Sequence, residues 1–195
     1  MNTEMNPEQS LKLIESMISQ AKKSFHRISF YFLLWGVLLT GAMLATYLLS
    51  DLDPAMRHGL PWGIAGVLGG LISSIYGARA AQKEAATNPM DRIVGWVWGS
   101  FIITMMLLLF GTLRNGVDPG PTITVLTGLP TFLTGQIMRF RPLILGGLLF
   151  WVAGIAMHFT QEAGLLTALY CGAMLLGYIV PGFLLKRQED GLRSA

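Results

Sequence analysis

Residues 92–114, RIVGWVWGSFIITMMLLLFGTLR, hold 21 residues without a charge between Arg92 and Arg114. About 20 apolar residues are what an α-helix needs to cross a bilayer, so the stretch predicts a membrane span. Five further segments of the same kind fill the chain: 28–49, 61–80, 122–138, 143–159 and 164–185. Counting loops alternately, Lys12, Lys22, Lys23, Arg27, Arg79, Lys83, Arg92, Arg139, Arg141, Lys186, Arg187 and Arg193 share one side, and only Arg57 and Arg114 lie on the other. Basic residues concentrate on the cytoplasmic side of membrane proteins. The expected fold is therefore all-α, a polytopic bundle of six transmembrane helices with both termini in the cytoplasm.

Composition agrees. Of 195 residues, 52% are hydrophobic and 13% charged, against roughly 25% charged in soluble domains. The spans leave a polar segment at 1–27, short loops and a cytoplasmic tail at 187–195, so no extramembrane domain fits around the 28–186 transmembrane domain. The net charge of +3 is accounted for by loops facing anionic headgroups. No basic stretch is interleaved with aromatics in the manner of single-strand binders, which excludes nucleic acid as the expected partner. The single cysteine, Cys171, lies inside the last apolar segment and offers neither a disulfide nor a metal pair. Residues 1–27 lack the apolar core of a signal peptide and are expected to stay inside.

Asn6-Pro7-Glu8-Gln9 reads as a helix start, with Asn6 as N-cap and Pro7 at the first helical position. Leu11, Ile14, Ile18, Ala21 and Phe25 then recur at spacings of three and four. The expected element is an amphipathic cytoplasmic helix. Leu11, Ile14, Ile18 and Phe25 would lie on the inner leaflet or dock a protein partner. Asn88-Pro89 repeats the helix-start chemistry before the third span, and Arg139-Phe140-Arg141-Pro142 must reverse the chain at once. Each odd span begins at an arginine and then places a tryptophan: Arg27 with Trp35, Arg92 with Trp98, Arg141 with Trp151. Repeated hairpins would produce that pattern, as would interfacial enrichment of Trp.

Two spans carry candidate functional faces. In the second, Gly66, Gly70, Ser74 and Ala78 recur every four residues, flanked by Gly63, Gly69, Ser73 and Gly77. Small faces let membrane helices approach closely, so Gly66, Gly70 and Ser74 are expected to pack against another helix, in the same chain or in a homo-oligomer. The fourth carries Thr122, Thr124, Thr127, Thr131, Thr134 and Gln136 around Pro130. Proline deprives the Leu126 carbonyl of its helical donor. Thr124, Thr127, Thr131, Thr134 and Gln136 could thus line a cavity, or the threonines could bond back to their own helix and pack. Pro181-Gly182 points to a break in the last span.

No Asp, Glu, Lys, Arg or His lies near the middle of any span, where pumps and proton-coupled carriers need one. No HExxH or GxSxG is present. Neither catalytic residues nor a cofactor or metal are expected. His58, His158, Asp51, Asp53, Asp118 and Glu162 read as a solvated outer rim.

Several strings resemble a family of uncharacterised small multi-pass membrane proteins of Gram-negative bacteria: Ser10-Leu11-Lys12-Leu13-Ile14-Glu15-Ser16-Met17-Ile18 leading to Ala21-Lys22, Phe32-Leu33-Leu34-Trp35-Gly36, Ser74-Ile75-Tyr76-Gly77, and Gly177-Tyr178-Ile179-Val180-Pro181-Gly182. The resemblance implies a bacterial inner-membrane protein and brings no activity or site. The expected function is a non-enzymatic regulatory or scaffold role in the bilayer. The alternative is a passive carrier or channel for a small neutral or amphiphilic solute, with Tyr76 and Tyr178 as further lining residues. Lipid handling is a third.

Overall fold

The structure, a computed structural model, describes residues 28–49, 51–52, 59–82 and 89–191. The N-terminal helix expected from Leu11, Ile14, Ile18 and Phe25 lies outside the described residues. Those described are helical, with no strand among them: α1 (Ile28–Leu49), α2 (Leu60–Gln82), α3 (Pro89–Arg114), α4 (Gly120–Ile137), α5 (Arg141–His158), and a last helix built from α6 (Ala163–Met174), a π-helical turn (Leu175–Ile179) and α7 (Val180–Gly191). Five of these helices are long and apolar enough to cross a membrane: α1, α2, α3, α5 and the continuous stretch Ala163–Gly191. The helix at the fourth expected span, α4, is not among them, because its threonines, two prolines and Gln136 dilute the apolar residues.

The last helix departs from the sequence reading in two ways. Pro181 does not break the last helix; the chain passes through it after widening into the π turn, where the Val180 N–H reaches back to the Leu175 carbonyl. The helix then runs to Gly191 instead of ending near 185, since Lys186 to Asp190 contain good helix formers and Glu189 is buried against α1.

Helix neighbours follow a single spatial order, α2, α1, last helix, α5, α4, α3. The tightest pair is α4 with α5, and glycine explains why. Gly128 and Gly135 on α4 and Gly147 and Gly154 on α5 each recur at seven residues, and all four are buried. A β-carbon on Gly147 would lie 2.6 Å from Phe132 Cβ and 2.7 Å from its backbone; one on Gly135 would lie 2.6 Å from the Ile144 nitrogen. Backbones this close gain dispersion contacts that lipid-exposed surfaces cannot supply. The connecting turn is a Schellman motif: Phe140 N–H donates to the Gly135 carbonyl (2.9 Å) and Arg139 N–H to that of Gln136 (3.1 Å). Arg139 stands at the left-handed position with φ 52°, where glycine is usual.

On the other side of the last helix, α1 pairs with α2. Trp35 lies on Gly69, Phe30 stacks on Tyr76 with ring centroids 4.0 Å apart, and Tyr31 reaches the Ser73 carbonyl at 3.5 Å. The packed edge of α2 is thus Pro61, Ala65 and Gly69. The stripe expected to pack, Gly66, Gly70 and Ser74, is turned away: Gly66 and Ser74 are exposed, and a β-carbon on Gly66 or Gly70 would meet nothing within 4 Å. Both stripes are small, and it was the flanking one, with Gly69 and Ser73, that met α1.

Candidate functional site

Inside the curved row of helices, α4 presents one face of threonines. Thr124, Thr127, Thr131 and Thr134 are 1, 5, 0 and 0% exposed. Three donate to their own helix: Thr124 to the Gly120 carbonyl (2.8 Å), Thr127 to Ile123 (2.7 Å) and Thr131 to Thr127 (2.8 Å). Such back-bonds remove the donors from play while leaving hydroxyl lone pairs available. The Thr127 hydroxyl is spent on Ile123, although Pro130 deprives the neighbouring Leu126 carbonyl of its helical donor. Gln136 is exposed and does not share the face; at two residues from Thr134 it falls on the opposite side of a helix.

Aromatic side chains meet this face. Trp98 of α3 donates its indole N–H to the Thr134 hydroxyl at 3.1 Å, and the phenol of Tyr178 in the π turn lies beside Thr131. Tyr178 is also the hub of a ring cluster, with Phe150 at 5.0 Å, Phe32 at 5.1 Å and Trp98 at 6.4 Å between centroids, all inclined steeply as edge-to-face pairs. Toward the other end, Trp62 meets Tyr170 at 5.4 Å. The interior is therefore threonine-walled and filled by aromatic rings and methionines, among them Met157 and Met174. Tyr76, in contrast, lies at the α1–α2 contact, outside this interior.

Glycine seats the π turn. A β-carbon on Gly146 would lie 2.7 Å from the Gly177 carbonyl oxygen, and one on Gly36 would lie 2.7 Å from Ile179. Pro181 brings no N–H to the Gly177 carbonyl four residues back, and that carbonyl instead abuts the α-carbon of Gly146, the geometry of a weak Cα–H···O contact. Sequence reading named Tyr178 only as a conduit residue and missed its role as hub; the string Gly177-Tyr178-Ile179-Val180-Pro181-Gly182 was the available signal.

At the basic end, Ser29 donates to the Glu189 carboxylate at 2.6 Å, and both residues are 4% exposed. Glu189 falls within the segment read as a polar tail, so nothing in the sequence reading singled it out. At the opposite end the rim residues serve local structure. Asp118 accepts the Gly120 N–H at 2.9 Å, and His158 Nδ1 lies 2.8 Å from the Gly154 carbonyl. His58 and Asp53 lie outside the described residues. Among the described residues no group of three His, Cys, Asp or Glu is placed to hold a metal.

The chain matches no protein-family model, no curated protein and no solved structure. Its function must be read from its own geometry.

Proposed function

We propose that this protein is a six-span, non-enzymatic component of the bacterial cytoplasmic membrane with a regulatory or scaffold role. Both termini face the cytoplasm, and partners are met through the N-terminal helix and the two end helices of the row. The carrying observation is how unevenly the helices are packed. In their most apolar windows, 17% of α1 and of α2 and 6% of α3 is buried, against 39% of α5 and 44% of the last helix. Of the three, α2 and α3 stand at the ends of the row, each packed chiefly on one neighbour, with most of its surface left for lipid or protein. As sixth span, α4 is long enough, about 27 Å at 1.5 Å per residue. Thr124, Thr127 and Thr131 donate to carbonyls of their own helix and Thr134 accepts from Trp98, which lowers the cost of these side chains in hydrocarbon and leaves the Leu126 carbonyl as the exception.

The test places a photoreactive residue at Val67 of α2, Leu107 of α3 or, as control, Val152 of α5, which are 63, 69 and 66% exposed. Discrete protein adducts at Val67 or Leu107, with lipid adducts alone at Val152, are expected. Lipid adducts alone at all three would overturn the scaffold role.

The carrier reading stands second, favoured by the buried face of four threonines beside the Tyr178 phenol. In a Cys171→Ala background, cysteines at Thr127 and Thr131 should resist a charged, impermeant thiol reagent from either side. Labelling there would put the carrier first.

A further inference from the structure

Between α3 and α4 a groove of about 90 Å³ opens outward, lined among others by Ser100, Phe101, Thr104, Leu126, Pro130 and Leu133. Its polar groups are unusual in one respect: every donor is already engaged. Ser100 donates to the Val97 carbonyl (2.9 Å), Thr104 donates to the Ser100 carbonyl (2.9 Å), and Pro130 has no N–H to give. Only acceptors remain. They are the lone pairs of Ser100 and Thr104 and the carbonyl of Leu126, which residue 130 would supply with a helical donor were it not proline. Ser100 and Thr104 sit midway along a 26-residue helix, and Pro130 midway along α4. At that depth the surrounding hydrocarbon can donate nothing, and an unmet carbonyl is costly.

We propose that this groove binds the hydroxyl head of an uncharged, membrane-dissolved alkylphenol or alcohol, which donates to these acceptors while its tail stays in the bilayer. The groove is small and open, about 90 Å³, which suits a hydroxyl-bearing head whose tail stays outside. Phe101 and Leu133 supply apolar walls for a ring or the first carbons of a chain. A cationic amphiphile is disfavoured because the lining has no carboxylate, and an anionic one because it has no free donor. The binding site lies where α3 faces α4, and it rests on the membrane placement proposed above.

The purified full chain is reconstituted in phosphatidylcholine vesicles and photolabelled with a diazirine-bearing alkylphenol. Adducts are expected at Phe101, Leu129 or Leu133, competed about tenfold better by the unlabelled alkylphenol than by its methyl ether, which has the same shape and no donor. Pro130→Ala returns an N–H to the Leu126 carbonyl and should bring that ratio toward one. Thr104→Val, which leaves the backbone untouched, should lower it as well. Equal competition by phenol and ether in the wild type, or adducts equally frequent at Val67 and Leu71 of α2, would overturn the proposal. In a parallel sample a diazirine phospholipid should label Val67 and Leu107. Its failure to do so would overturn the membrane placement, and the groove proposal with it.

Discussion

The indole N–H of Trp98 donates to the hydroxyl of Thr134 across 3.1 Å, joining the most loosely packed helix to a fully buried threonine. Because α3 touches chiefly α4, this bond and the ring contacts of Trp98 with Phe32 and Tyr178 hold it in place. Trp98→Phe keeps a ring and removes the donor. A loss of about 1–2 kcal/mol is expected, read as a lower unfolding midpoint in detergent, with broader spin-label distances between α3 and α5.

Glycine substitutions on α5 and α2 should behave oppositely. Gly147→Ala drives a methyl group into the Phe132 backbone, which no rotamer change relieves. Destabilisation of about 1–3 kcal/mol follows from overpacking. Gly66→Ala meets open space and should be neutral or stabilising by up to about 1 kcal/mol, the helix-propensity gain. Thermal unfolding of the two variants side by side checks the pair. Equal damage would mean that the Gly66 stripe is covered in the folded protein.

The Ser29 to Glu189 bond should show measurable coupling. Ser29→Ala and Glu189→Leu, singly and together, form a double-mutant cycle, and an interaction of about 1–3 kcal/mol is expected for a buried hydrogen bond to a carboxylate. Additivity would show the bond to be incidental.

Arg139 occupies a left-handed backbone position that costs an L-residue about 1–2 kcal/mol. Arg139→Gly should therefore raise the unfolding midpoint while removing one charge from the α4–α5 turn. Topology should be unchanged, since Arg141 remains beside it.

How much was legible in the sequence depends on what each residue had to distinguish. Every described residue from Ile28 to Leu49 is helical, as a charge-free apolar run between polar ends requires. The threonine face was legible through its spacing, yet Gln136 was wrongly joined to it by proximity in sequence. No described helix of the same chain meets the Gly66, Gly70, Ser74 stripe, for a physical reason: small residues mark where a backbone could approach without saying which side of an apolar helix does. The heptad glycines at 128, 135, 147 and 154 escaped notice since each helix carries only two of them, and their meaning appears only when the hairpin brings α4 against α5. Glu189 was hidden by the ordinary look of a charged terminal stretch, whose burial depends on a serine 160 positions away.

That separation has a consequence for how the protein is made. Most helix contacts join neighbours in sequence, α1 with α2, α3 with α4, α4 with α5 and α5 with α6, and can form as each hairpin leaves the ribosome. Helix α1 is the exception, since its other neighbour is the last helix. With about 5–20 residues added per second, Ser29 waits roughly ten to thirty seconds for Glu189. During that interval Gly36 lacks Ile179 and Tyr178, and Phe32 has only Trp98 of its ring partners. A chain stopped before residue 175 would still bring α6 to α1 but never the π turn or Glu189, so the flank would be covered over part of its length and left open at Gly36 and Ser29.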